Sequence, residues 1–184
     1  MKENVMSSNG LGVVDFQLYL LKTMQPPGAL LAAALEELGC TSSDMAVGYE
    51  GVSRETKLTE GGSADRLTTI LDEAFVDQPS GMGRETFAYH LPLWPKFTFL
   101  LSFDSTRKFI YKGEFVRRPG CRAGEGVTSW DFLQIELTDS FDQICEIDTW
   151  GTYDSYTARD SNLGERCFLR FAWGLLQEIE VIRD

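Results

Sequence analysis

Lys96-Phe-Thr-Phe-Leu-Leu-Ser-Phe103, Asp104-Ser-Thr-Arg107 and Lys108-Phe-Ile-Tyr-Lys-Gly-Glu-Phe-Val116 together decide the fold class. The first run is aromatic and rich in strand-forming residues. The second is a polar turn. In the third, Phe109, Tyr111 and Phe115 nearly alternate, so the stretch predicts a β-hairpin.

Upstream of the hairpin, Glu85–Leu91 reads as another strand, with Phe87 and Tyr89 opposite Thr86, Ala88 and His90; Pro92 and Pro95 then bracket Trp94. Further toward the N-terminus the period is helical. Phe16, Leu20 and Met24 share a face with Tyr19 until Pro26-Pro27 stops the helix. Pro27 suits the first position of the next helix, and Ala29–Leu38 has high helix propensity. Gly39 is placed to close that helix in a left-handed conformation. Residues 41–62 are mixed, with a short strand expected at Met45–Tyr49 and a break at Gly61-Gly62. Ser63 is a candidate cap for a third helix whose buried stripe is Leu67, Ile70, Leu71 and Phe75.

Downstream, Pro119–Gly126 is a loop, Val127–Leu137 reads as a strand, and 141–148 fits a strand or a short helix. At the C-terminus, Leu163, Cys167, Phe168, Phe171, Leu175, Ile179 and Ile182 keep helical spacing, and Asn162 with Glu165 has capping-box spacing. Cys167, Leu169, Phe171, Trp173 and Leu175 also alternate as a strand would. The length of the stretch favours a helix. The expectation is therefore an α+β domain: N-terminal helices packed on an antiparallel β-meander, with a C-terminal helix. Residues 1–12 read as a flexible N-terminus and 13–184 as one globular domain.

The composition suits that plan. Among 184 residues, 43% are hydrophobic, 24% are charged and 12% are aromatic, enough for a core without disulfide or metal staples. Cys40, Cys121, Cys145 and Cys167 are scattered, without a CxxC pair, as in reduced cytosolic thiols. Met1–Gly10 has no apolar signal-peptide core, and runs such as Ala29–Leu35 are far shorter than a bilayer span. A cytoplasmic location is expected. The net charge of −11 disfavours nucleic acid and anionic membrane surfaces as partners.

Catalytic signatures are absent. There is no GxxxxGK[ST], GxSxG or GxGxxG. His90 is the single histidine, so a multi-histidine metal site within one chain is excluded. A Cys40–His90 dyad is disfavoured because Cys40 follows a helix end, whose negative pole raises a thiol pKa. No cofactor is expected. Glu146 and Asp148, two apart, would share one side of a strand, and with Asp142 or Asp154 they offer a carboxylate site for Mg²⁺ or acid–base work.

Charge is distributed unevenly. Arg107, Lys108, Lys112, Arg117, Arg118 and Arg122 crowd one stretch with Glu114 as its one acid. Residues 123–158 then contain no Lys or Arg but eight acids: Glu125, Asp131, Glu136, Asp139, Asp142, Glu146, Asp148 and Asp154. Trp130, Phe141, Trp150, Tyr153 and Tyr156 are interleaved with them. Acids beside rings supply steering charge and anchors, the components of a protein interface. The expected partner-binding residues are Asp139, Asp142, Glu146, Asp148, Trp150, Tyr153, Asp154 and Tyr156. The basic stretch is read either as a site for an acidic group or as an internal counterpart of the acids.

The expected function is a non-enzymatic acidic protein-binding module for a basic protein partner. Its most concrete form is an immunity-type inhibitor that neutralises a basic toxin or enzyme. That comparison rests on size, charge and missing catalytic motifs, at the level of a class. The alternatives are a small carboxylate-dependent enzyme, with or without Mg²⁺, and an accessory or assembly subunit.

Overall fold

The computed structural model describes residues 10–56, 64–77, 85–104, 110–124 and 126–183. Four helices come first: α1 (Val13–Met24), α2 (Gly28–Leu38), α3 (Ser42–Thr56) and α4 (Ala64–Ile70). Strands β1 (Phe75–Asp77), β2 (Glu85–Tyr89), β3 (Phe97–Phe103) and β4 (Ile110–Arg117) form an antiparallel meander in that order. A short helix α5 (Leu137–Ser140) precedes a second four-stranded antiparallel meander: β5 (Phe141–Trp150), β6 (Tyr153–Asp160), β7 (Arg166–Ala172) and β8 (Leu175–Val181). The α+β class with N-terminal helices holds. Among the described residues, no helix is long and apolar enough to cross a membrane.

Helix α1 is buried on most of its circumference, from Phe16 through Leu21 and again at Met24. Asp15 accepts from the Gly12 amide at 2.9 Å, satisfying a donor at the helix entry. The chain leaves through Gln25 at φ 45, ahead of Pro26-Pro27. Pro27 proves to be the N-cap of α2 rather than its first residue, and Gly39 closes α2 at φ 64 as its position implied. Phe16 meets Phe99 with ring centroids 5.8 Å apart, placing α1 on the inner face of the first sheet. On that face Phe87 lies opposite Leu101, and Phe99 opposite Phe115.

The strand expected at Met45–Tyr49 is instead part of α3. Thr41 and Asp44 form reciprocal bonds: the Asp44 carboxylate accepts from the Thr41 amide (2.7 Å) and hydroxyl (2.6 Å), and the Thr41 oxygen accepts from the Asp44 amide (3.2 Å). That start signal launches a helix whose buried stripe is Met45, Gly48, Val52 and Thr56. Two of its buried positions, Gly48 and Gly51, carry no side chain, so the helical period is faint in the sequence. Gly48 lets α3 approach α1 closely; a Cβ there would lie 3.2 Å from the Leu18 Cβ.

In α4, Leu67 and Ile70 are buried as expected, as is Leu71 just beyond it. Ser63, its proposed cap, lies outside the described residues, as do the Gly61-Gly62 break, turn residues 105–107 and the N-terminal stretch 1–9. Phe75 leaves the helical stripe and opens β1 with 46% exposure, because a 3-10 turn at Asp72–Ala74 intervenes.

Val127–Leu137 is not a strand. It is an irregular segment ending in a 3-10 turn, Gln134–Glu136, and the start of α5. Trp130 has φ 64, which interrupts any extended run. The segment runs along β8 as a strap: the Trp130 amide donates to Leu176 O (2.8 Å), Leu176 N to Phe132 O (2.9 Å) and Gln134 N to Gly174 O (2.9 Å).

The expected C-terminal helix over 163–182 is replaced by the β7–β8 hairpin. Trp173 and Gly174 are its two turn residues, at φ 54 and 75, as a two-residue turn of the primed type demands. Alternate burial of Cys167, Leu169 and Phe171 follows from the strand period. The Asn162–Glu165 capping box does not form. Asp160 instead accepts from the Asn162 and Leu163 amides, both at 2.8 Å, in a turn.

Two apolar clusters result. One joins the helices to the first sheet, and the other covers one face of the second sheet with Phe132, Leu137 and Phe141. Trp173 belongs to the first cluster although it sits in a turn of the second sheet.

Candidate functional site: an acidic edge strand and its hairpin tip

The acidic segment 141–150 resolves as strand β5, at the edge of the second sheet. The opposite edge, β8, is bonded at its start, Leu175 and Leu176, by the strap. Along β5 only Phe141 is buried and Ile144 half-buried; every other residue is exposed.

Two bulges set which way its acids point. Asp142 opposes Arg159 and Cys145 opposes Thr157, so one extra residue is inserted at Gln143, which has φ 49. Glu146 opposes Tyr156 and Asp148 opposes Ser155, so a second extra residue lies at Ile147. Directly opposed antiparallel residues share a face, and neighbours along a strand do not. Glu146 therefore lies on the Tyr156 face and Asp148 on the Ser155 face. The sequence reading that put Glu146 and Asp148 on one side is corrected by this bulge, because one inserted residue reverses the alternation.

The eight predicted partner-binding residues accordingly divide. Asp148, Trp150 and Tyr153 share one face near the hairpin tip, with Asp142 on the same face about 20 Å from the tip at the other end of the strand. Glu146, Asp154 and Tyr156 lie on the other face, the one that carries Leu169 and Phe171. Asp139 is on α5, exposed and outside the hairpin. Both sets flank one open edge but form no single patch. Asp142 accepts from the Ser161 hydroxyl at 3.1 Å. Among the described residues, no three His, Cys, Asp or Glu side chains are grouped as a metal site. Of the carboxylates in the enzyme alternative, Asp142 and Asp148 share one face and Glu146 lies on the other.

At the tip, Trp150 pairs across the turn with Tyr153, and Gly151 supplies the positive φ of 61 that a two-residue hairpin loop needs. Trp150 is 78% exposed. Tyr153 packs against the first core beside Tyr49, which stacks on Tyr19 with centroids 5.6 Å apart at 9°. Burial raises the Tyr153 pKa, Arg170 pulls it back and Tyr49 adds to the rise. Burial, followed by the nearby Tyr49 and Tyr153 hydroxyls, pushes Tyr19 up to about 12. The tip is held in place, since Trp173 N donates to Thr152 O at 2.9 Å. Tyr49 was missed from the sequence because its segment reads as a strand, and nothing local pairs it with residue 153.

Other predicted aromatics also make internal contacts. Phe141 is 2% exposed, and Trp130 stands edge-on to Trp94 at 5.6 Å while donating to Gln177 at 2.9 Å. Tyr156 is half-buried, edge-on to Phe171, and its hydroxyl accepts from Gln134 Nε2 at 2.7 Å. Its pKa is raised by burial first and by Asp154 second.

Among the described residues of the basic stretch, Lys112, Arg117 and Arg118 make internal contacts. Arg117 donates to both Glu136 oxygens at 2.8 and 2.9 Å and to the Asp131 carbonyl at 2.8 Å, and lies 5.1 Å from the Phe97 ring centroid. Lys96 bonds Asp131 at 3.0 Å, and Lys112 bonds Glu114 at 2.6 Å. Burial opposes ionisation of Asp131, but Lys96, the Gly124 amide and Arg117 outweigh it and hold its pKa low. Asp131 and Glu136 are thereby compensated; among the described residues of 123–158, the acids without a cationic partner lie on the β5–β6 hairpin and α5. The thiol of Cys40 is pushed up by burial, then by Asp44 and Asp15, the opposite of an activated nucleophile.

Compared with protein-family models, curated proteins and solved structures, the chain matches none.

Proposed function

We propose that this protein is a non-enzymatic acidic binding module whose β5–β6 hairpin tip docks a basic protein partner. The single observation that carries the reading is the 78% exposure of Trp150 at a braced tip, with Asp148 on the same face. A large ring held in solvent on a fixed turn is pre-organised for a partner's pocket, and tryptophan is over-represented among residues that dominate binding energy. The surrounding carboxylates, within a chain of net charge −11, accelerate encounter with a cationic surface. In its most concrete form the module is an immunity-type inhibitor that places these acids in the cationic cleft of a toxin or enzyme.

The edge strand favours recognition through side chains over strand addition. The inserted residues at Gln143 and Ile147 interrupt the edge, and its charged side chains discourage pairing with another flat strand.

The test is capture by the immobilised full chain at low salt, compared with Trp150→Ala and Asp148→Asn. A basic protein retained by the wild type, eluted by salt and lost from Trp150→Ala is the expected result. An identical retained set for wild type and Trp150→Ala, or no basic protein retained, would overturn the reading.

A further inference from the structure

Beside the hairpin, the two sheets part and leave a groove of about 890 Å³. Strand β4 from Lys112 to Val116 forms one wall, and Thr152, Asp154 and Tyr156 of the hairpin form the other. Phe115, Leu133, Leu137, Ile144 and Trp173 give it an apolar lining. That volume and that mixture suit a small organic ligand.

The polar groups in the walls are not equivalent. Glu114 is neutralised by Lys112 at 2.6 Å, and the Tyr156 oxygen already accepts from Gln134. Asp154 is half-buried and, among the described residues, has no hydrogen-bond donor or counter-ion. A carboxylate beside apolar walls gains more from a nearby cation than one in open water does. With Lys112 and Glu114 cancelling, the groove keeps one negative charge.

We infer that this groove binds a small amphipathic organic cation, with an aromatic or alkyl body on the apolar lining and a protonated amine on Asp154. The site does not depend on the docking of a basic protein. Asp154 and Trp150 are on opposite faces of the hairpin, and Trp150 is not part of the groove lining.

Calorimetric titration of the full chain with 4-phenylbutylamine, and separately with 4-phenylbutyrate, tests the site. The amine is expected to bind saturably and at least tenfold more tightly than the carboxylate. Asp154→Asn should weaken the amine at least fivefold, and Trp150→Ala should leave it unchanged. Thr138→Trp, which fills the groove from an exposed position on α5, should block binding and serves if the Asp154 variant fails to fold. Equal affinity for amine and carboxylate, no saturable amine binding at millimolar concentration, or indifference to both groove variants would overturn the assignment.

Discussion

The indole of Trp173 occupies the space where a side chain at Gly113 would begin: a Cβ on Gly113 would lie 2.5 Å from Trp173 Cζ3 and 2.7 Å from Cε3. Trp173 sits in the turn of the second sheet and Gly113 in the last strand of the first. Their contact joins the two halves. The indole N–H donates to Thr23 Oγ1 at 3.2 Å, the ring meets Phe99 edge-on at 5.7 Å, and the Trp173 carbonyl accepts from Phe115 N at 2.9 Å.

Gly113→Ala therefore forces backbone and indole apart. Overpacking of this kind costs about 1–3 kcal/mol. Urea unfolding should show a lower midpoint of that size. A midpoint equal to wild type would mean that the indole has room to move, and that the seam is looser than described.

Arg117 should be more costly to remove than the exposed cations. Arg117→Met leaves the half-buried Glu136 and Asp131 without their shared guanidinium. A loss of about 1–3 kcal/mol is expected from the charge-assisted hydrogen bonds removed. Arg122→Met, at an exposed position, should change stability by less than about 0.5 kcal/mol. Chemical denaturation of the two variants side by side checks the ranking.

Alkaline pH should weaken the fold through Tyr19. Its folded pKa, about 12, lies above the ordinary value of 10.0. The unfolded chain therefore loses this proton first, so the stabilisation is complete below pH 10 and declines as pH rises through 10 toward 12. The total linked to this residue is about 3 kcal/mol. Tyr19→Phe should flatten the stability profile in that window, measured against the wild type by denaturant unfolding. An unchanged slope would sink the attribution.

Asp131 acts at the other end of the pH scale. Its folded pKa is depressed, so its contribution is present above the unfolded value, about 3.9, and is lost as pH falls through the folded pKa. Asp131→Asn should reduce the acid sensitivity of unfolding below about pH 4. A far-ultraviolet dichroism titration of both proteins makes the comparison.

Trp150→Ala should separate stability from binding. Because the ring is 78% exposed, its removal should change unfolding free energy by less than about 0.5 kcal/mol. Affinity for the captured basic partner should fall by more than about 2 kcal/mol. A variant that loses stability and binding in equal measure would make the ring a structural element.

Much of the helical half was readable along the chain. Pro26-Pro27 and Gly39 punctuate α1 and α2 through local backbone restrictions, and Phe97–Phe103 shows its period directly. By contrast, the stripe of α3 was hidden by Gly48 and Gly51, whose burial depends on Leu18 and Leu11 of another segment. Of the proposed binding residues, the exposed Trp150 and the acids of β5 were legible from charge and ring content. Their division between two faces was not, since the bulges at Gln143 and Ile147 are defined only against β6.

What the chain determines by itself is the order of helices before strands, the stops between them and the concentration of acid in 123–158. These follow from dihedral limits, local periodicity and charge, which act over a few residues. Tertiary structure alone decides that 163–182 is a hairpin, that 127–136 is a strap on β8, and that Arg117 consumes Asp131 and Glu136. Each of those outcomes rests on partners distant in sequence: Trp173 on Gly113, Leu176 on Phe132, Arg117 on Glu136. A hydrophobic pattern records which positions are buried, while the partner that buries them fixes conformation and register.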